Sequence, residues 1–451
     1  MNLFRGERCS RESFISQVSE LSDIISQDLA LQVLDTEIVI DAVDRLANSV
    51  TKEDALSLLK MMGIGTQGLE AVLAHTLEDM KREALTFKLK TELSAPLGEW
   101  ITLIDPNGVT RKSCYLPLGV LMHIGAGNTI GLSAFSVIEG LLTGNINILK
   151  LPEGESGISY FLLEKLIQIE PRLKPYIYVT DLPSSDEEGL QDLAEIADVV
   201  VVWGSDATIK ALRTSLPANK PMIEWGHKIS FAYFSECGTT DADLKLLAEE
   251  VCITNQLYCS SPQCVFYEIP DQAGVDILGA DIEGKTYLYE KEYLYHFAGR
   301  LASILSDFSK RYPQTELSFE GQAEITFLHQ TLYMEGSLSG SFPFVDVDHS
   351  YGVIIASDNA LRTSPLYRNL WVVPIKRSDL IRVLRPHIGH LQTVGLSVPE
   401  SIKNDLQMRL YRAGVTKITK CGEMYLNKLG EAHDGKMTLI HYVKKVDDRS
   451  E

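Results

Sequence analysis

Leu, Ile and Val recur at three- and four-residue spacing from Val18 to Leu34, and more loosely from Leu56 to Leu93, with polar residues between them. That period predicts helices from residue 11 to about 94, because side chains three and four apart share one helix face. The pattern then changes. Trp100 to Ile104, the turn Asp105-Pro106-Asn107-Gly108 and Val109 to Tyr115 read as a β-hairpin, with Asn-Gly supplying the left-handed turn. So apolar a hairpin invites a partner edge, and pairing between copies of the chain is expected. From Pro117 onward short apolar runs alternate with helical stretches. Strands are predicted at Val120 to Ile124, Asn147 to Leu151, Tyr176 to Val179, Val199 to Trp203 and Ser230 to Phe234, with a helix from Leu132 to Leu142. Alternation of this kind implies a mostly parallel sheet with both faces covered. A second α/β unit begins with a helix from Asp241 to Val251 and continues through Cys264 to Tyr267. Its later strands are predicted at Val353 to Ala356 and Trp371 to Ile375.

Composition narrows the class. A chain of 451 residues exceeds the size at which a single core keeps growing, so two domains are expected. Forty-two basic residues against 61 acidic ones give a net charge of −19. Such a surface repels nucleic acid and anionic membrane, and neither is expected as a partner. The cysteines, at 9, 114, 237, 252, 259, 264 and 421, are odd in number and show no C-x-x-C spacing, which points to a reduced, cytoplasmic protein. Met1 to Arg8 alternates in charge and carries no apolar stretch of a secretory signal. Leu116 to Ile138 has no charged side chain apart from His123. Even so, Pro117, Asn128 and glycines 119, 125, 127 and 131 make it read as strand, loop and helix rather than a membrane span.

The candidate chemistry starts at Cys259, in Asn255-Gln256-Leu257-Tyr258-Cys259-Ser260-Ser261-Pro262-Gln263. A cysteine presented by a turn of small and polar residues has the setting of a nucleophile, since a thiolate attacks carbonyl and thioester carbons only where it is accessible. Gly125-Ala126-Gly127-Asn128-Thr129-Ile130-Gly131 joins a strand to a helix, where glycines let backbone approach a phosphate or simply pack a tight turn. The next strand ends at Lys150, close to Glu153, and an acidic residue about 20 positions past such glycines can hold ribose hydroxyls. Glu224, between Ile223 and Trp225, is either a partly desolvated general base or a carboxylate paired with Lys228 or another cation. Other groups read as structural. Cys252 and Cys264 lie among apolar neighbours, His387 and His390 lack the further ligands a zinc site needs, and Ser10 to Ser13 and Lys444 to Arg449 read as solvated ends.

Taken in order, these segments resemble the aldehyde dehydrogenase superfamily. Gly127-Asn128, the G-N-x-x-x-x-K stretch Gly144 to Lys150, Glu224 in Glu224-Trp225-Gly226-His227-Lys228, and Cys259 35 residues later are similar to that superfamily's ordered motifs. More narrowly, Gln256 with Cys259-Ser260-Ser261-Pro262-Gln263, Ser364 to Asn369 and His433-Asp434-Gly435 resemble the LuxC-type acyl-CoA reductases, the fatty acid reductases of bacterial bioluminescence. The resemblance spans roughly residues 95 to 445.

It implies an α/β, aldehyde dehydrogenase-like fold of two Rossmann-like domains. The expected divisions are a helical part of the cofactor domain at 1–95, an oligomerisation hairpin at 96–120, a nucleotide-binding domain at 121–230, a catalytic domain at 231–415 and a C-terminal segment at 416–451. The implied activity is reduction of a fatty acyl-CoA thioester to the aldehyde by NADPH, through an acyl group carried on Cys259. Asn128 and the Cys259 backbone N–H would form the oxyanion hole, and Glu224 would manage protons. Lys150 and Glu153 would hold the adenosine ribose, and Gly204, Ser205 and Gly226 would lie toward the rest of the cofactor. Glu153 would repel a 2′-phosphate, so NADH is the alternative reductant. The superfamily's second ribose glutamate has no clear match, Glu335 and Glu320 being the candidates. No metal is implied. An acyl-protein synthetase subunit and a homo-oligomer are the implied partners. Two other readings keep the fold: an aldehyde dehydrogenase forming acid, and an acyl-carrying subunit without reductase activity.

Overall fold

The computed structural model describes residues 1–31, 34–51, 53–54, 57, 75–126, 131–153, 157–235, 239–269, 286–314, 317, 319–339 and 342–448. The chain forms two compact units, one made of Met1–Leu58, Leu73–His227 and Lys428–Glu451, the other of Leu59–Val72 and Lys228–Asn427.

The first unit is built on a seven-stranded sheet. Its strands are β1 (Asn2–Phe4), β2 (Glu7–Cys9), β5 (Val120–Ile124), β6 (Ile146–Lys150), β7 (Ile177–Thr180), β8 (Val199–Trp203) and β9 (Met222–Trp225), in the order β2-β1-β7-β6-β5-β8-β9. The strands from β7 to β9 pair in parallel. Every residue of β5, β6, β7 and β8 is buried, as expected of strands covered on both faces. Helices Leu132–Leu142, Ile158–Ile169 and Glu187–Ile196 supply much of that cover.

Two terminal segments differ from expectation. Residues 1–9 form a small hairpin rather than a lead into a helix, with Leu3 opposite Val179 and Phe4 edge-on to both Phe14 and Tyr178. Strands of three residues are too short to show a period in sequence. Ser10 to Ser13 is solvated as expected but is the start of helix Arg11–Leu31: Ser10 Oγ accepts the Ser13 N–H, and Arg11 bonds Asp181 at 2.9 Å. At the other terminus, Val443–Asp448 is a strand, β17, antiparallel to β4 (Thr110–Pro117), which pairs in turn with β3 (Ile101–Ile104). Val443 is buried while the consecutive Lys444 and Lys445 are both exposed, so the charges that suggested a free end belong to a paired strand that solvent reaches. The β3–β4 turn is held by Asp105 Oδ1, which accepts the N–H groups of Asn107 and Val109 at 2.8 and 2.9 Å.

The second unit has its own seven-stranded sheet, of β10 (Ile229–Ser235), β11 (Pro262–Glu268), β12 (Phe344–Val345), β13 (Gly352–Ile355), β14 (Asn369–Ile375), β15 (Leu391–Ser397) and β16 (Lys417–Lys420). The order is β12-β13-β14-β11-β10-β15-β16, parallel except at β12. β15 escapes a sequence reading because its buried run carries Gln392, Thr393 and Gly395. A side chain at Gly395 would meet Met424 Sδ at 2.6 Å, so that glycine is fixed by packing. Among the described residues no helix is long and apolar enough to cross a membrane. The described parts of Leu116 to Ile138 are strand, loop and helix.

One buried group makes stability depend on pH. His123 on β5 is wholly buried between Ser136 Oγ at 2.8 Å and Asn147 Oδ1 at 3.0 Å. Burial pushes its pKa down to about 4, with the Asn147 hydrogen bond opposing. An unfolded histidine titrates near 6.5. The folded state therefore binds protons less readily, and this contribution is complete above pH 6.5 and lost progressively as pH falls toward 4. A loss of about 3 kcal/mol is expected over that window. Urea unfolding at several pH values should show a shallower fall for His123→Gln than for the parent; parallel curves would contradict the assignment.

Candidate active site

The loop that carries Cys259 is set by an unusual run of backbone. Helix Asp241–Thr254 starts in a Thr240/Asp243 capping box and stops where Asn255 and Gln256 take left-handed conformations, with φ of 46° and 61°. Opposite them, Leu366, Tyr367 and Arg368 are also left-handed, at 68°, 50° and 70°. Non-glycine residues resist that region by about 1–2 kcal/mol each, so the surrounding contacts must hold them. The Tyr367 N–H donates to Asn255 O at 3.0 Å and Arg368 Nε to Asn255 Oδ1 at 2.9 Å. Gln256 Nε2 donates to the carbonyls of Pro262 and Asn369, at 2.8 and 3.0 Å. Asn369 Nδ2 closes the clamp on the Leu366 carbonyl, and its Oδ1 lies 2.6 Å from His329 Nε2.

Arg368 is the keystone. It is 1% exposed, and its other acceptors are the neutral carbonyls of Cys252 and Ser309. Burial pulls its pKa below the ordinary arginine value, with Cys252 opposing.

The clamp leaves Cys259 in a turn closed by the Ser261 N–H on the Tyr258 carbonyl at 2.9 Å. The cysteine is partly exposed, whereas Cys114, Cys252, Cys264 and Cys421 are buried. Burial raises the pKa of the Cys252 thiol and pushes that of Cys264 up to about 12, which suits them to packing rather than chemistry. Gln392 Nε2 lies 3.2 Å from the Cys259 sulfur, and Ser230 Oγ donates to the Cys259 carbonyl at 2.7 Å. Burial also holds the neighbouring Tyr258 hydroxyl well above the usual phenol range, with Cys259 adding to the effect.

In the first unit, β6 ends at Lys150, whose Nζ donates to Ser184 Oγ at 2.8 Å. The Ser184 N–H donates to Glu153 Oε1 at 2.9 Å. Burial lowers the pKa of Lys150; hydrogen bonds from Ser184, backbone first, and then Lys150 hold Glu153 below the usual carboxylate range. The three side chains thus make one polar cluster at the carboxyl ends of parallel strands, where open α/β sheets take ligands. Gly204 follows β8 and donates to Trp225 O at 3.2 Å, and Ser205 caps helix Asp206–Ser215 through the Thr208 N–H. Gly226 meets the same helix: a side chain there would stand 3.4 Å from Asp206 Oδ1 and Ile209 Cδ1.

Glu224, on β9, sits 2.6 Å from Arg213 Nε, close enough for an ion pair although the angle is not that of a hydrogen bond. Of the two readings open in the sequence, this is the pairing with a cation, and the cation is Arg213 rather than Lys228.

Asn128 and Gly127 lie outside the described residues. At Gly125 a side chain would come within 2.3 Å of Ser133 Oγ, a packing reason for that glycine. Glu335 is exposed on helix Phe319–Ser339, and the side chain of Glu320 is outside the described residues. His387 and His390 flank a turn in which the His390 N–H bonds the His387 carbonyl at 3.0 Å. Among the described residues no group of three or more His, Cys, Asp and Glu could hold a metal ion.

Sequence reasoning missed Gln392, Ser230, Ser184, Arg213 and the clamp made by Arg368. Each reaches its partner across a gap in sequence with no periodic signal. Visible traces are the motif Ser364 to Asn369, which contains Arg368 without revealing its role, and the polar pair Gln392-Thr393 near the start of a buried strand.

The fold is that of the aldehyde dehydrogenases. A propionaldehyde dehydrogenase from the fucose utilisation microcompartment of Clostridium phytofermentans superposes with a TM-score of 0.61 at 12% identity, covering 98% of each chain. A lactaldehyde dehydrogenase superposes at 0.67 with 14% identity, covering 96% of this chain and 91% of its own. Within that class the chain belongs to the acyl-CoA reductase (LuxC) family, whose sequence model matches residues 31–445. Similar relatives are the long-chain acyl-protein thioester reductases of Aliivibrio fischeri and Vibrio harveyi. Both are 24% identical, over 78% and 81% of this chain and 67% and 71% of their own length. Membership makes the protein an aldehyde-forming oxidoreductase acting on an acyl thioester, in a fold that uses a nicotinamide cofactor.

Proposed function

We propose that this chain reduces a fatty acyl-CoA to the free aldehyde through an acyl group held on Cys259, with NADPH as reductant. The observation that carries the reading is the Cys259 turn: a partly exposed cysteine whose sulfur is met by an amide donor and whose loop is braced by a buried clamp. The sulfur attacks the thioester carbonyl, a carbon–sulfur bond to Cys259 forms, and the CoA thiolate departs. The backbone N–H of Cys259 and the side chain of Asn128 are the proposed donors to the oxyanion. Cys259 in turn is the leaving group when the aldehyde separates. Glu224 is proposed to manage the proton of the departing thiol, with Arg213 fixing its orientation.

NADPH supplies the hydride when bound. Lys150, Glu153 and Ser184 fit a ribose, combining a buried cation, a carboxylate and a hydroxyl in one hydrogen-bonded cluster. Gly204, Ser205 and Gly226 are proposed to lie toward the pyrophosphate.

A homo-oligomer is proposed through the β3–β4–β17 sheet, whose Ile104 and Val109 are 69% and 59% exposed; a monomer in sedimentation at micromolar concentration would contradict it. The relatives are named for acyl-protein thioesters, so an acyl-protein synthetase subunit is proposed as a second acyl donor. Free cysteines support a cytoplasmic setting.

The test is a series of acyl-CoA chain lengths assayed with NADPH and with NADH. Aldehyde formation dependent on reduced cofactor is expected, and its absence at every chain length would overturn the reading. Removing the Glu153 charge should favour a 2′-phosphate. Glu153→Gln is expected to raise the NADPH-to-NADH ratio of kcat/KM by about tenfold. An unchanged ratio would remove Glu153 from the ribose end.

A further inference from the structure

We infer that Gln392 is the hydrogen-bond donor that stabilises the Cys259 sulfur as a thiolate and fixes its direction. The inference rests on Cys259 being the nucleophile, and it names a residue that no motif in the chain singles out.

Gln392 is 7% exposed and lies at the start of β15, which neighbours β10; β11, the strand after the cysteine turn, lies on β10's other side. Its Nε2 lies 3.2 Å from Cys259 Sγ. The orientation of the amide is set from the other side, because Thr393 Oγ1 donates to Gln392 Oε1 at 3.3 Å. Ser230 Oγ is also within 3.5 Å of that oxygen. The single proton of Ser230 goes to the Cys259 carbonyl at 2.7 Å, while its oxygen accepts the Thr393 N–H at 3.1 Å. Thus Ser230 ties the backbone of the cysteine to the strand that carries Gln392. The side chain and main chain of Cys259 are gripped by neighbouring residues of one sheet.

The chemistry follows from charge. A thiolate accepts a hydrogen bond from an amide N–H more strongly than a neutral sulfur does. While an acyl group is on the sulfur the charge is gone and the bond weakens. When the aldehyde leaves, the sulfur regains charge and the bond strengthens again. Gln392 therefore favours the free thiolate at both ends of the cycle, and an amide does so without titrating.

The experiment is alkylation of the intact protein with iodoacetamide across a range of pH, followed at the Cys259 peptide by mass spectrometry. In Gln392→Ala the midpoint of the pH profile is expected to move up by about one to two units, with the plateau rate at high pH unchanged. Gln392→Met keeps the volume of the side chain but has neither an N–H to donate nor a charge, so its midpoint should move up by a similar amount. A structural role alone would lower the melting temperature without moving either midpoint. A midpoint that coincides with the parent's in the Met variant would overturn the inference, even if the Ala variant folds poorly. The readout needs no acyl transfer. Shifted midpoints in a protein that never acquires an acyl group on Cys259 would uphold the role of Gln392 and overturn the proposed function instead.

Discussion

Cys259→Ala is expected to lower aldehyde formation from acyl-CoA by about 10⁴-fold or more, the scale seen when a covalent nucleophile is removed. Labelling of the protein by acyl-CoA should vanish with it. Cys252→Ala should leave labelling intact, although Cys252 is only seven positions away in sequence. Its side chain is 2% exposed and faces Ser309 at 3.8 Å, and it is the backbone carbonyl of Cys252, which alanine retains, that Arg368 uses. Labelling that survives the first substitution would mean that the nucleophile is another residue.

Arg368→Ala is expected to have the largest effect on stability. The substitution deletes a nearly inaccessible guanidinium and leaves Asn255 Oδ1 and the carbonyls of Cys252 and Ser309 without their donor. It also removes one of the ties between two left-handed segments, the Tyr367 N–H bond to Asn255 O remaining. A loss of about 3 kcal/mol or more is expected from the lost hydrogen bonds to a charged group and the cavity left behind. Because the clamp adjoins the Cys259 turn, kcat should fall as well. Arg368→Lys keeps the charge but cannot reproduce the fork that spans Asn255 and Cys252, so it should recover only part of the stability. Denaturant unfolding of the three proteins measures this, and a loss below about 1 kcal/mol for the alanine variant would show that the clamp is held by other contacts.

The fold was legible where the chain is repetitive. Buried parallel strands such as β5 and β8 are apolar runs, broken only by His123 in β5, and their sequence limits coincide with the observed ones. Helix Leu132–Leu142 and the β3–β4 hairpin were legible for the same reason, period in one case and turn chemistry in the other. What escaped was structure made by distant partners. β1 is a strand because Leu3 finds Val179, and β17 is one because Val443 to Asp448 find β4; the first is too short and the second too charged and without alternation to announce itself.

The site divides in the same way. Cys259, Lys150, Glu153 and Glu224 stand out because reactive or charged side chains sit where a strand or turn would not ordinarily want them. Their surroundings do not. Arg213 on Glu224, Ser184 on Lys150 and Gln392 on Cys259 are common polar residues whose meaning comes only from distances of 2.6, 2.8 and 3.2 Å. Glu224 shows what neighbours in sequence leave open, since Ile223 and Trp225 suggested a partly desolvated carboxylate and folding also brings the Arg213 guanidinium beside it.

The central claim is that Cys259 carries the acyl group between thioester and aldehyde. The most direct measurement is the intact mass of the protein after mixing with a long-chain acyl-CoA in the absence of cofactor, with peptide mapping of the adduct. A mass increase of one acyl group on the Cys259 peptide is predicted, discharged as aldehyde when NADPH is added. No adduct, or an adduct on another residue that discharges as aldehyde, would contradict it.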